Sequence, residues 1–365
     1  MKVGATPENL LESIALKVGY VPRPILDTQA SMIFVRAIQV AVQLGVFDAL
    51  SSSPLTIDEI AAHCNLHPEP LRKLLNALAY SGYLKKDKEC YRLGIVARRW
   101  LLNTNHSLRN YVVGRSLAWD WLNQLEDFVR TGKAVQIHQE MSDQQWEQYQ
   151  MGMRSLASIS GARVARCTPV PPGARKMLDI GGAHGFYSVM LCRRYPSLQA
   201  TILELPEAIE YASPILAEEG MGDRVVYKAG NALTEDFGVE TYDLILISNV
   251  IHHFDADTNR ELFHRLKRAL RPGGYLVVQG SILPLNANDQ PGRLWDLFFA
   301  MTSDAGSWTY EDIAKWQREA GLTPRKPIYL GMPPGSGQQV AVKLAPYKRP
   351  SLTWLFKQIH LFRSV

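Results

Sequence analysis

The 365-residue sequence predicts an α/β protein, a doubly wound and largely parallel sheet behind a smaller winged-helix domain. Three observations carry that reading. From Lys176 onward, short apolar runs alternate with helical segments, the pattern of successive βα units. The first run, Met177-Leu178-Asp179-Ile180, breaks into Gly181-Gly182-Ala183-His184-Gly185 and then into the helical spacing of Phe186, Val189, Met190 and Leu191. That is a strand, a tight turn and a helix start. Ahead of it, three helical segments and a charged-tip hairpin make a winged helix.

Taken in order, residues 1–25 are weakly patterned and read as a loose arm with one short helix. From Ala30, Ile33, Ala37, Val40, Ala41 and Leu44 recur at helical spacing, and Gly45 closes that helix. Thr56-Ile57-Asp58-Glu59 is a capping box opening a second helix. Residues 68–79 make a third, with Leu71, Leu74, Leu75 and Leu78 on one face, and 82–93 form the hairpin. These complete a domain over 1–97. Residues 98–170 form a helical, aromatic-rich connector with Trp100, Trp119, Trp121, Trp146 and Tyr149, and Pro169-Val170-Pro171-Pro172-Gly173 is a linker.

The second domain spans 171–345. Its strands are expected at 176–180, 200–203, 224–228, 243–248 and 275–279, with helices near 185–195, 206–219, 257–270 and 309–320. Two last strands, at 326–330 and 339–344, are joined by a Gly/Pro-rich turn and should form an antiparallel edge hairpin. Residues 346–365 are a basic amphipathic tail, with Leu352, Leu355, Phe356, Ile359 and Phe362 on one helical face. Such a face packs on its own domain or a dimer mate, or lies on a membrane surface.

The composition, 46% apolar and 21% charged, is that of an ordinary folded protein, and a net charge of +5 does not call for nucleic acid. The four cysteines include no C-x-x-C pair, and the N-terminus has no apolar signal-peptide core, so a reduced, cytoplasmic location is expected. No stretch approaches the length of a membrane span, and no Cys/His cluster or H-E-x-x-H motif calls for a metal.

The chemistry concentrates at the ends of the strands, where open α/β sheets bind ligands. In Asp179-x-Gly181-Gly182-x-x-Gly185 the glycines let a ligand lie against the backbone, facing the N–H groups and dipole of the next helix, which suits a nucleotide or nucleoside. The spacing differs from the G-x-G-x-x-G of dinucleotide folds. Glu204, ending the second strand, is a candidate for both ribose hydroxyls, or else favours the helix opening at Pro206. Asn231, in Gly230-Asn231-Ala232, either reaches the adenine edge or makes a turn. The fourth strand runs into Asn249-Val250-Ile251-His252-His253-Phe254, where a histidine near neutrality takes a proton from a hydroxyl or simply packs. Asp255 and Asp257 read as caps of the helix that follows.

Assembled, these segments resemble the S-adenosylmethionine-dependent small-molecule O-methyltransferases of the plant caffeic-acid type and their bacterial relatives, over roughly residues 30–345. Ala41-Val42-Gln43-Leu44-Gly45-Val46-Phe47-Asp48-Ala49-Leu50, Thr56–Ala61 and Leu71–Leu78 are similar to the family's dimerisation domain, Asp179–Gly185 to its cofactor loop, Leu203-Glu204-Leu205-Pro206 to its ribose segment, and Leu270-Arg271-Pro272-Gly273-Gly274 to the approach to its fifth strand. The resemblance implies a class I Rossmann-like methyltransferase sheet and a homodimer formed through the N-terminal domain. It implies S-adenosylmethionine as cofactor, held by Asp179, Gly181, Gly182, Gly185, Glu204, Leu205, Gly230, Asn231, Ala232, Ser248 and Asn249. By the same resemblance His252 falls on the catalytic base. The glutamates that flank the base in the plant enzymes fall on Gly280 and Ser307, the acidic residue after the third strand is Asn231, and the lysine four before the base is Ser248.

The activity implied is methyl transfer to a hydroxyl of an aromatic or polyketide-like molecule, held by Tyr149, Met153, Trp295, Phe298, Phe299 and Met301, with Met153 resembling a family pocket methionine. Two alternatives differ in class. Carbon or nitrogen methylation, or a non-methylating reaction on the same scaffold, fits the missing glutamates. A ligand-sensing DNA-binding regulator fits the winged helix, but 68–78 offers a leucine face with few bases, so no nucleic-acid partner is expected.

Overall fold

A computed structural model of the chain describes residues 4–104, 106–283, 290–303, 305–331 and 335–345, with the side chains of residues 139 and 140 set aside. The amphipathic tail at 346–365 lies outside the described residues. In the N-terminal domain, helices α1 (Ser31–Gln43), α2 (Ile57–Cys64) and α3 (Pro68–Tyr80) pack beside strands β1 (Leu55–Thr56), β2 (Leu84–Asp87) and β3 (Cys90–Leu93), ordered β1-β3-β2. The capping box is formed: Thr56 Oγ1 accepts from Glu59 N, and Glu59 returns to the Thr56 backbone. Gly45, at φ +73, turns the chain out of α1 in the left-handed conformation that glycine tolerates. Ala41, Phe47, Ile60, Leu75, Leu78 and Tyr91 fill the core of this domain.

One expectation is corrected here. The short helix Arg23–Ile25, a π-turn at Leu26–Ala30 and α1 run on without a break, giving one 21-residue helical segment, Arg23–Gln43, that is long and apolar enough to cross a membrane. Pro24 hides this continuity in the sequence, because proline in the first turn of a helix costs it no hydrogen bond. Of the segment's apolar residues, Met32, Ile33, Phe34 and Val35 stand exposed, while Ala41 and Val42 enter the domain core. Met32, Ile33 and Val40 line, with Leu71 and Leu74 of α3, a groove of about 1070 Å³.

Short helices lead through the connector to α4 (Asp143–Cys167), whose N-terminus carries a Ser142–Gln145 capping box. The second domain then alternates β4 (Lys176–Ile180), α5 (Phe186–Arg194), β5 (Gln199–Glu204), α6 (Pro206–Ala217), β6 (Val225–Ala229), β7 (Tyr242–Ser248), α7 (Ala256–Ala269), β8 (Leu270–Ser281), α8 (Gln290–Thr302), α9 (Tyr310–Glu319), β9 (Thr323–Pro324), β10 (Ile328–Tyr329) and β11 (Ser336–Val342). The sheet order is β10-β11-β8-β7-β4-β5-β6, with β9 also on β11. Strands β4 to β8 are mutually parallel, β11 returns antiparallel against β8, and β10 pairs antiparallel with β11 as the expected edge hairpin. Strands with helices on both faces bury nearly every side chain, so they read as continuous apolar runs. Leu178, Ile180, Ile245, Ile247 and Val278 fill one face of the sheet, and Met177, Ala200, Ile202, Leu244 and Val277 fill the other.

Candidate functional site

The sheet order turns back between β4 and β7, and ligands bind at such a switch point. There the carboxyl ends of the strands open into a cavity of about 460 Å³, roofed by α4. Gly181, at φ +61, makes the sharp exit from β4; a Cβ on it would meet Val250 Cγ2 at 2.6 Å. At Gly182 a Cβ would stand 2.6 Å from Asp179 Oδ2. The loop is therefore a cradle that side chains would fill. Gly185 has a different task. It is absent from the cavity wall, and its Cβ would strike Ile202 Cδ1 at 2.6 Å, so it lets α5 sit close on the sheet.

Asp179 lies beneath the loop, 2% exposed. Its Oδ2 accepts from Ser188 Oγ at 2.6 Å, and its Oδ1 is buried with no partner. Burial pushes its pKa up to about 7, against the Ser188 bond, and the charge of Glu204 adds to the rise. A buried carboxylate oxygen with no donor calls for a cation or a donor from a ligand. Glu204 holds the loop from the end of β5: Ala183 N–H donates to its Oε2 and Leu205 N–H to its Oε1, each at 2.9 Å. Burial raises its pKa while those two bonds lower it. Each oxygen keeps a lone pair for a ribose hydroxyl. The orphaned Asp179 oxygen, the glycine cradle and the Glu204 carboxylate thus fit the ammonium and sugar portions of a sulfonium nucleoside.

Leu205, Gly230, Asn231, Ala232, Ser248 and Asn249 line the same cavity. Asn231 spends its Oδ1 on Leu233 N (2.9 Å), so it makes the turn as well as facing the cavity. Ser248 Oγ accepts from Gln279 Nε2 at 3.1 Å, and Asn249 sits at φ +55. Gly280, where the plant enzymes carry a glutamate, would place a Cβ 2.8 Å from Asn249 Oδ1. Ser307, the other such position, donates its N–H to Asp296 Oδ1 at 2.9 Å.

The acceptor side differs from the sequence expectation. Tyr149 and Met153 line the cavity, joined by His138, Trp146, Gln150, His253, Thr302 and Ser303. Trp295, Phe298, Phe299 and Met301 form a layer outside its wall: Phe298 and Met301 pack with Leu117 and Trp121, and Trp295 stacks on Phe299 at 6.0 Å. His252 goes with that layer. Its ring stacks on Phe299 at 4.1 Å and 15°, outside the cavity wall, while His253 faces in. Burial drives both imidazole pKa values down, that of His253 to about 3. His138 escaped the sequence reading because a four-residue helix, Ile137–Glu140, carries no pattern. Only the fold brings it to Trp146, Tyr149 and His253, at 5.5, 5.5 and 5.3 Å between ring centres.

Comparison with known proteins agrees with this geometry. A family model described as an O-methyltransferase domain matches residues 122–323, and one described as an O-methyltransferase dimerisation domain matches 26–103. The chain is 24% identical over 335 residues to the 3-hydroxy-5-methyl-1-naphthoate 3-O-methyltransferase of Streptomyces sahachiroi, covering 88% of this chain and 95% of that one. It is 26% identical over 317 residues to the tetracenomycin polyketide synthesis 8-O-methyl transferase TcmO of Streptomyces glaucescens, covering 83% and 91%. Its fold is shared by the crystal structure of human N-acetylserotonin methyltransferase in complex with SAM, at a TM-score of 0.79 and 18% identity, covering 93% of this chain and 100% of that one.

Proposed function

Because the chain belongs to the O-methyltransferase family, with its dimerisation and methyltransferase domains both matched, we propose that it methylates a hydroxyl of a polycyclic aromatic or polyketide-like acceptor. The observation that carries this reading is one continuous cavity. Its cofactor end holds the orphaned Asp179 Oδ1 and Glu204, and its other end is walled by Trp146, Tyr149, Met153 and Leu156. S-adenosylmethionine supplies, when bound, a methyl group on a positively charged sulfur that needs an oxygen aligned behind it. The chain does the rest. The glycine loop and Glu204 fix the nucleoside, and Asp179 meets its cationic end. The aromatic wall orients the acceptor and excludes water, the kind of positioning worth about 7–11 kcal/mol at best. A histidine of the Ile251–His253 turn takes the hydroxyl proton.

Two relatives act, by their names, on a hydroxynaphthoate and in tetracenomycin synthesis, which supports a fused-ring acceptor. The test is to incubate the purified chain with methyl-labelled cofactor and a panel of hydroxylated naphthoates and anthraquinones, then locate the label by mass and NMR. Label on oxygen supports the reading. Label on carbon or nitrogen only, or no affinity for S-adenosylhomocysteine by calorimetry, sinks it.

A further inference from the structure

We infer that Gln150 selects the acceptor by taking a hydrogen bond from a second hydroxyl of the same molecule, so that the preferred acceptor is a fused-ring aromatic with two hydroxyls. The inference rests on the O-methyl-transfer reading above and names the substrate class within it.

Gln150 is 1% exposed, yet it lines the cavity. Its Oε1 is buried and has no hydrogen-bond partner. A desolvated amide oxygen without a donor is costly, and one that faces a cavity is open to a ligand's donor. The roof helix fixes where it stands. Trp146, Gln150 and Met153 follow one another at i, i+4 and i+7 along α4, so they share one face. Trp146 and Met153 wall the acceptor end of the cavity, and Gln150 lies between them.

The other polar side chains at that end are already engaged. Ser303 Oγ lies 2.8 Å from His253 Nδ1, Thr302 Oγ1 donates to Phe298 O at 2.8 Å, and Tyr149 Oη is 3.4 Å from His138 Nε2. Burial holds the pKa values of His138 and His253 down, so neither ring carries a charge near neutrality. At the cofactor end, Asp179 Oδ1 and Glu204 meet the ammonium and ribose donors, and Asn231 stands at the adenine side. The donor left for Gln150 is therefore on the acceptor. The hydroxyl that is methylated gives its proton to a histidine, so the hydroxyl that Gln150 holds is a different one.

The experiment uses pairs of naphthoates or anthraquinones that differ by one hydroxyl. It compares wild type with Gln150→Met, which keeps the volume of the side chain and loses its polar atoms. Comparing the ratio of kcat/KM within a pair between the two proteins cancels the intrinsic acidity of each phenol. Gln150→Met should lose about 10–100-fold on the dihydroxy member that wild type uses best and stay within about threefold on its monohydroxy partner. Affinity for S-adenosylhomocysteine should not change. An equal loss on both members overturns the inference, because that is the effect of an amide that only packs or holds a buried water. Weaker S-adenosylhomocysteine binding with an unmoved pair ratio also overturns it, since Gln150 then serves the cofactor.

A second measurement needs neither turnover nor a variant. Calorimetry on the wild-type complex with S-adenosylhomocysteine should show the dihydroxy member binding about 10–100-fold more tightly than its partner. Equal affinities across every pair overturn the inference even where methyl transfer is observed. A wild type that shows this preference but leaves every acceptor unmethylated separates the two failures: the Gln150 contact is then right and methyl transfer to oxygen is wrong.

Discussion

Asp179 and Gly185 show how single residues in one loop divide their labour. Asp179 is held near pH 7 by burial, so about half of the ligand-free molecules carry its proton at neutrality. The sign follows directly. A carboxyl whose folded pKa lies above the unfolded value of 3.8 favours the folded state at low pH, and that contribution is lost as pH rises through about 7. A bound cation pulls the pKa back down, so cofactor binding should release a proton. We expect affinity for S-adenosylhomocysteine to rise between pH 6 and 8, by up to about tenfold per unit on the acid side. The calorimetric enthalpy should vary with the ionisation enthalpy of the buffer, and Asp179→Asn should abolish both effects. Gly185, at φ +70 with Ile202 against its missing Cβ, should answer to stability instead. Gly185→Ala adds left-handed strain of about 1–2 kcal/mol to overpacking of about 1–3 kcal/mol, read as a lower urea midpoint. Gly181, Gly182 and Asp179 were legible as the lining of the loop because their chemistry is local, whereas Gly185, expected at the cofactor, packs against Ile202 instead. Which side chains of the Ile251–His253 turn line the cavity was not legible, since tertiary packing and not spacing sets it.

At the scale of elements, the Ile251–His253 turn is held by a residue that the sequence gives no reason to notice. Asn259, 0% exposed in the first turn of α7, donates through Nδ2 to the carbonyls of Ile251, Phe254 and Asp255 at 2.9, 2.9 and 3.0 Å. Removing that donor leaves the Phe254 carbonyl without its partner, while Ile251 O keeps Trp308 Nε1 and Asp255 O keeps the Asn259 backbone N–H. Asn259→Ala should therefore lose about 1–3 kcal/mol of stability by denaturant titration. It should also lose turnover at temperatures where it remains folded, because the histidines are no longer fixed. Asn259→Asp, which keeps the shape but not the donor, should behave the same way; a silent Asn259→Asp would show that the turn is held by other contacts. Elements with their own start signals were read directly: the Thr56–Glu59 box, the Asp255 cap of α7 and the β4 run all stand where spacing put them. The acceptor wall was not. Trp295 and Phe299 belong to α8, and whether a helix turns its aromatics toward a cavity or into a neighbouring layer is decided by tertiary packing, to which periodicity is blind.

For the whole molecule, the question is what covers the apolar surface of the N-terminal domain. The segment Arg23–Gln43 passes the length and hydropathy requirements of a membrane span, yet it carries Arg23, Asp27 and Arg36, and its C-terminal half packs Ala41 and Val42 into the domain core. Its exposed Met32 and Ile33 line the groove between α1 and α3, within the stretch matched by the dimerisation model. A contiguous apolar face of this kind marks an interface, and a second copy supplies a complementary one by two-fold symmetry. The chain should therefore sediment at twice its formula mass at micromolar concentration. Ile33→Glu places one charge on each side of that interface; at about 3 kcal/mol for each uncompensated burial, dissociation should become easier by more than about 10³-fold and the variant should sediment as a monomer. Liposome flotation separates the other occupant, because a membrane-bound segment would float with lipid whatever its oligomeric state. A wild type that stays monomeric and floats would transfer this face from a protein partner to a bilayer, without touching the cofactor loop.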